Sequence, residues 1–134
     1  MKKYLTLVVG FLAIFGLSSC TKEYYDIVPN TSYIYTINAN QWTDNGNQIS
    51  YDISLPELTD YFMNQGGVSV AMSFDNESTY NILPATFDAV AYSVNYSVGR
   101  VTIYGEDPVL GDFEVPIPDR VTVKIILSEA DYVE

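Results

Sequence analysis

Residues 49–55 read ISYDISL, and apolar and polar side chains alternate along the whole stretch. A period of two is typical of a β-strand that buries one face and exposes the other, so the isoleucines and Leu55 would face a core. Comparable segments, rich in β-branched and aromatic residues, recur at residues 33–39, 68–74, 79–83, 92–98, 101–104 and 121–127. Seven such segments separated by turn signals predict an all-β fold, an antiparallel β-sandwich, with the apolar last segment in a central position.

Two local signals indicate how these strands are connected. Asn45-Gly46 is a turn pair, so it predicts a hairpin between the first two strand segments. Residues 56–67 are the one helical candidate, with Pro56 suited to the first helical position and Gly66 to the end of the helix. We therefore expect one short crossover helix in the sandwich.

The composition excludes several classes of function. The chain has 134 residues, 17 acidic and 6 basic side chains, no histidine and one cysteine, and its net charge is −11. Nucleic-acid binding needs a basic surface, and the Ser-His-Asp triad needs an imidazole. An intramolecular disulfide and a multi-cysteine zinc site each need more than one cysteine. We therefore expect one domain that is not an enzyme, with no catalytic residues, no metal, no cofactor and no nucleic-acid partner.

The first 19 residues have the three parts of a secretory signal peptide. Lys2 and Lys3 precede a short apolar run, and small residues follow the run. A transmembrane helix needs about 20 apolar residues, which is more than this run contains. The sequence therefore predicts a cleaved signal at residues 1–19, with an uncleaved N-terminal anchor as the alternative.

Residues 17–20 read Leu-Ser-Ser-Cys and resemble the lipobox of bacterial lipoproteins, in which the cysteine becomes the mature N-terminus. The resemblance implies lipidation of Cys20, and two or three acyl chains hold a domain stably on a bilayer. An exported soluble protein with a free thiol is the alternative. Thr21 is not the aspartate that retains lipoproteins at the inner membrane of enteric bacteria, which favours the outer membrane, on its periplasmic or outer side. The expected organisation is a signal peptide at residues 1–19, a lipidated tether at 20–32, a β-sandwich at 33–128 and a C-terminal tail at 129–134.

A succession of loose motifs extends over most of the chain. In order, these are the segment TINANQW at residues 36–42, a Gly-Gly pair before the strand at 68–72, Leu83-Pro84, a hairpin at 92–104 and a closing strand at 121–127. Together they resemble a family of small uncharacterised lipoprotein domains of the Bacteroidetes. The resemblance implies a β-sandwich on an outer membrane. It implies no activity, and the one functional residue that it implies is the lipidated Cys20. This chain lacks the collagen-like spacer of many members, and it has Tyr80 where they usually have tryptophan.

Carboxylates are the only abundant titratable groups, and they crowd the loop that the sequence predicts over residues 105–119. Five of them lie there: Glu106, Asp107, Asp112, Glu114 and Asp119. Oxygen clusters suit calcium, but the spacing matches no known calcium loop, so a solvated acidic loop is the favoured interpretation. The turn at residues 44–47 has the same two interpretations, and the hairpin turn is favoured there as well.

Aromatic side chains are the other candidates for binding a ligand. A row of tyrosines on one sheet face would suit stacking on sugar rings, and the candidates for such a row are Trp42, Tyr33, Tyr35, Tyr92, Tyr96 and Tyr104. Tyrosine also fills the cores of sandwiches, and a core position is favoured for Trp42. The sequence thus predicts a lipid-anchored envelope protein with an accessory, structural or protein-interaction role. A surface glycan-binding module for polysaccharide capture is the alternative.

Overall fold

The computed structural model describes residues 28–109, 113–131 and 133. This part of the chain contains nine β-strands, one short α-helix and one turn of 3-10 helix at Ala39–Gln41. The strands are β1 (Thr31–Asn38), β2 (Thr43–Asp44), β3 (Gln48–Ser54), β4 (Gly67–Ser73), β5 (Asn81–Ile82), β6 (Ala85–Phe87), β7 (Val90–Ser97), β8 (Arg100–Glu106) and β9 (Arg120–Ser128), and the helix is α1 (Asp60–Asn64). The seven predicted strands are all present, and the two additional ones, β2 and β6, are only two and three residues long.

The strands form two antiparallel sheets. Sheet A has the order β1-β9-β4-β5, and sheet B has the order β2-β3-β8-β7-β6. The predicted all-β sandwich is therefore confirmed. The last strand, β9, lies between β1 and β4 in sheet A, so the central position predicted from its apolar sequence is confirmed as well.

The core lies between the inner faces of the two sheets. Strand β9 contributes every second residue to it, from Val121 to Leu127, and each of these side chains is buried. The other buried apolar residues are Ile37, Trp42, Ile49, Ile53, Leu55, Leu58, Val70, Met72, Leu83, Val90, Tyr92, Val101, Ile103 and Val115. Full burial of one such aliphatic side chain stabilises the fold by about 1.5–3 kcal/mol, so this single cluster holds the two sheets together.

The predicted hairpin between the first two strand segments is wrong. Strand β1 pairs with β9 in sheet A, whereas β3 pairs with β2 and β8 in sheet B. Between them the chain makes its 3-10 turn and buries Trp42, which carries it from one sheet to the other. The Asn45-Gly46 turn does form, with Gly46 at a φ of +83° and its N–H donating to the Asp44 carboxylate, but it connects β2 and β3.

The helix is shorter than residues 56–67. Its N-cap is Thr59, so Pro56 lies in a turn before the helix rather than at its first position. The reason is tertiary, because the segment before Thr59 is held by the turn between β7 and β8. The Leu55 N–H donates to the Gly99 carbonyl at 2.9 Å, and the Gly99 N–H donates to the Leu58 carbonyl at 2.8 Å. The helix still connects strands of opposite sheets, β3 and β4, as predicted for a crossover.

Strand β8 extends to Glu106, so Gly105 lies in a strand and not in the loop predicted over residues 105–119. A Cβ atom at Gly105 would lie 2.9 Å from Ile49 Cγ1 and 3.0 Å from Tyr92 Cε1. A glycine at this position lets the core side chains of β3 and β7 close over the backbone of β8.

We expect Gly105→Ala to lower the free energy of unfolding by about 1–3 kcal/mol, because the added methyl group overpacks the core. The matched control is Gly67→Ala in β4, where the nearest atom to a new Cβ is 4.0 Å away. The control should change stability by no more than about 0.5 kcal/mol. Urea denaturation of both variants checks this, and equal stability losses would contradict the expectation.

Candidate functional site

Some predicted site residues lie outside the part of the chain that the structure describes. These are the signal peptide at residues 1–19, Cys20, the first part of the tether up to residue 27, and Asp112 of the acidic loop. The remaining predicted residues can be placed. Strand β1 begins at Thr31, so it takes in the last two residues of the predicted tether.

Two of the predicted aromatic residues belong to the core. Trp42 is buried with its ring tilted against Tyr51 at 6.2 Å between centroids, and its indole N–H has no acceptor among the described residues. Tyr92 is buried against Phe74 at 5.2 Å, and Phe74 in turn stacks on Phe87 at 4.3 Å. The favoured core position of Trp42 is therefore confirmed, and neither ring is available for stacking on a sugar.

The other aromatic residues do not form one platform. Tyr33 and Tyr35 lie half-buried on the inner side of β1 in sheet A and pack against the core. Tyr96 is 41% exposed at the end of β7 in sheet B. Tyr104 of β8 lies opposite Ser50 and Ser93, in the same sheet as Tyr96. The planar row considered from the sequence is thus not formed by these residues, because the alternation of β1 and β7 turns most of the rings inward.

The two acidic segments considered for calcium meet in space. Gln48 lies opposite Glu106 in the β3–β8 ladder, and these two residues line a hollow of about 280 Å³ together with Asn45, Asn47 and Asp107. Their polar groups are bonded locally: Asp107 Oδ1 accepts from the Val109 N–H at 2.9 Å, and the Gln48 side chain donates to Glu106. Across residues 28–109 and 113–131, no three His, Cys, Asp or Glu side chains are placed to hold a metal ion.

Another concave site among the described residues is a cleft at one end of sheet A. It has a volume of about 310 Å³ and is formed by the end of β4, the loop that follows it and the start of β9. Its lining residues are Ser73, Phe74, Asn76, Asp119, Arg120 and Thr122. Ser73 lies directly opposite Thr122 in the ladder, so the strand pairing itself sets the floor of the cleft.

The loop over residues 74–80 forms one wall of this cleft, and Asp75 organises it. The Asp75 carboxylate accepts hydrogen bonds from the Ser73 hydroxyl at 2.9 Å and from the Thr79 N–H and hydroxyl at 2.9 and 2.6 Å. Chiefly because of the Thr79 bonds, the pKa of Asp75 lies below its usual value. The network holds Asn76 in a left-handed conformation with a φ of 57°.

The same loop crosses the outer face of sheet A. The ring of Tyr80 lies 3.9 Å from Lys124 Nζ of β9, a cation–π contact, and its hydroxyl donates to the Glu77 carboxylate at 2.7 Å. Burial, with the Glu77 hydrogen bond and charge, raises the pKa of Tyr80. This covering loop explains why Thr122 is only 6% exposed although it alternates with the core residues of β9.

Arg120 is the charged group of the cleft that the sequence analysis missed. It is one of three basic residues in the described part of the chain. Arg100 is paired with Asp52 at 3.8 Å and Lys124 contacts Tyr80, whereas Arg120 forms no ion pair with a described carboxylate. The only feature of the sequence that could have pointed to Arg120 is its position, as a basic residue directly before the most apolar strand of an acidic chain.

A second candidate surface is the free edge of β1. This strand has eight residues, TSYIYTIN, with no charge, proline or glycine, and within the described residues it is paired on one side only. Ile34 on its outer side is 55% exposed. On its inner side burial raises the pKa of Tyr35, and the negative charge of nearby Glu57 raises it further. The edge is therefore uncharged itself and has an acidic neighbour.

A scan against protein-family models found no match to this chain, and searches of curated proteins and of solved structures found none either. None of the helices in the residues that the structure describes is long and apolar enough to cross a membrane.

The buried Tyr92 makes stability depend on pH in the alkaline range. Burial, with a smaller contribution from Asp88, raises its pKa from 10.0 to about 12. The native state therefore keeps a proton that the unfolded chain releases, so this contribution is complete below pH 10 and is lost as the pH rises towards 12. We expect the loss to be about 2–3 kcal/mol.

Urea denaturation at about pH 9 and about pH 11.5 measures most of this loss, about 2 kcal/mol. Tyr92→Phe should lose less stability between the two pH values than the wild type, because the phenylalanine has no proton to release. Tyr104→Phe, on the same sheet, is the control and should behave as the wild type does. Equal pH dependence in Tyr92→Phe and the wild type would contradict the expectation.

Proposed function

We propose that this protein is a lipid-anchored cell-envelope protein, held by Cys20, whose β-sandwich binds a strand of another protein along the free edge of β1. Its role is accessory or structural and not catalytic. The observation that carries the proposal is the edge of β1, eight residues long, which pairs with no strand on its outer side within the described part of the chain. The lipid anchor is supported by the lipobox resemblance of residues 17–20, and an outer-membrane location by Thr21.

The contrast among the four sheet edges supports an interaction role for β1. Natural sheets protect their edges by keeping them short or by placing charges and prolines there, because an open edge pairs with other strands. Strands β2 and β5 have two residues each, and β6 has three and follows Pro84. Strand β1 has none of these protections. Its backbone can therefore add a strand from a partner.

The charge distribution favours a basic partner strand. The chain carries 17 acidic and 6 basic side chains, and two of the six precede the lipobox. A second copy of the chain would bring the same excess of negative charge, which opposes association. An extended segment with lysine or arginine beside Glu57, and with apolar residues opposite Ile34, complements the edge in both charge and shape. We therefore assign the edge to a basic strand of another protein.

The position of β1 in the chain fits a role close to a membrane. Thr31 lies eleven positions after Cys20. At the maximal extension of the backbone this distance is about 40 Å, so a lipid on Cys20 would keep the first strand close to the bilayer surface. An acceptor edge held there would meet other membrane-anchored proteins more often than free ones.

The lipid anchor is tested by Cys20→Ser. We expect this variant to lose stable membrane association, because the thiol that accepts the diacylglycerol is absent and one signal alone anchors weakly. Ser19→Ala is the matched control, since it keeps a small residue before the cysteine, and it should fractionate with membranes as the wild type does. Undiminished membrane association of Cys20→Ser after fractionation would contradict the anchor.

The edge is tested by site-specific photo-crosslinking in intact cells. A benzoylphenylalanine at Thr36, exposed on β1, should form an adduct with another protein, and the same group at Ser93 on β7 should not. Ile34→Lys should abolish the adduct, because an edge lysine opposes both strand addition and a basic partner. Equal adducts at the two positions would contradict the proposal. An adduct with the mass of two copies of the chain would overturn the assignment to another protein.

A further inference from the structure

The cleft at the end of sheet A brings together hydrogen-bond donors that the fold does not use. Thr122 is nine-tenths buried and lines the cleft, and no side-chain hydrogen bond joins it to the other described residues. Arg120 has no carboxylate partner in the same part of the chain, and the amide of Asn76 enters from the loop. The Thr122 hydroxyl at the wall of the cleft, and the Arg120 guanidinium, which has no ion-pair partner among the described residues, leave hydrogen-bonding capacity for a ligand.

The remaining lining residues restrict the kind of ligand. Asp119 places an acceptor beside Arg120, which suits the hydroxyl groups of a ligand, and Phe74 provides an apolar surface. A volume of about 310 Å³ is at the lower end of the range for ligand pockets, so it accommodates one ring and not a long chain. The site therefore matches a small ring that carries hydroxyl groups and one anionic group.

The charges around the cleft select a carboxylate as that anionic group. The planar guanidinium of arginine binds a carboxylate through two parallel hydrogen bonds. A phosphate carries nearly two negative charges, and both Asp119 and the net charge of −11 oppose a dianion more than a monoanion. A carboxylate, which has a single charge, is attracted by Arg120 and is repelled less than a phosphate by Asp119 and by the net negative charge of the chain.

We propose that this cleft binds a polyhydroxylated carboxylic acid of the size of a hexuronic acid, with the carboxylate on Arg120 and the hydroxyl groups on Asp119, Asn76 and Thr122. The site uses β4, β9 and the loop between β4 and β5, and none of its residues belongs to the proposed edge of β1. It therefore adds a ligand to the protein independently of the strand-binding role.

The test is calorimetric titration of the full-length protein in detergent micelles with glucuronate, and with glucose and acetate as separate probes. For a ligand of this size we expect a dissociation constant of about 1 mM for glucuronate. Glucose lacks the carboxylate and acetate lacks the ring, so each should bind at least about tenfold more weakly. Equal binding of glucose would overturn the role of the carboxylate, and equal binding of acetate would overturn the role of the ring.

Variants locate the binding in the cleft. Arg120→Gln should weaken glucuronate binding at least about tenfold, because a hydrogen-bonded charge pair is lost. Thr122→Val, which keeps a β-branched residue in the strand, should weaken it by about threefold to tenfold. Arg100→Gln, at the arginine that is paired with Asp52, is the control and should leave the affinity unchanged. Thermal unfolding of each variant shows that it is folded. No measurable binding to the wild type, or full binding to Arg120→Gln and Thr122→Val, would overturn the proposal.

Discussion

The burial of one strand determines the construction of this molecule. Strand β9 places Val121, Val123, Ile125 and Leu127 in the core, and its backbone pairs with β1 over eight residues and with β4 over seven. Removing four aliphatic side chains from water is worth several kcal/mol, a large part of the net stability of a small domain. Sheet A is therefore assembled around β9, and sheet B covers its inner face.

This central burial also creates the surfaces that are available for function. A sandwich built on one interior strand leaves open edges, and among the strands that the structure describes all edge strands except β1 are very short. The loop after β4 has to return to pair as β5, and on the way the network around Asp75 holds it over the outer face of β9. The free edge and the covered cleft are thus two consequences of the same arrangement of strands. They differ in chemistry, because the edge offers backbone groups and the cleft offers side chains.

Local sequence patterns predicted where the strands of this fold lie better than they predicted which strands pair with each other. Alternation located the strands and the central position of residues 121–127. The Asn-Gly pair correctly indicated a turn but not the strands that it joins, since a turn signal contains no information on which sheet a distant strand enters. Pro56 was a valid local signal for a helix start, and the hydrogen bonds between Leu55, Leu58 and Gly99 overrode it. Contacts across more than forty positions have no local signature.

By itself, the sequence determined the strand-forming segments, the acidic surface charge and the core position of Trp42, because these follow from side-chain type and spacing along the chain. Only the tertiary structure decided that Tyr92 is buried, that the aromatic rings form no common platform, and that Arg120 and Thr122 meet Asn76 in a cleft. Thr122 illustrates the physical reason. Alternation assigns it to the solvent face of β9, and it becomes buried because a loop more than forty residues earlier in the chain folds over it.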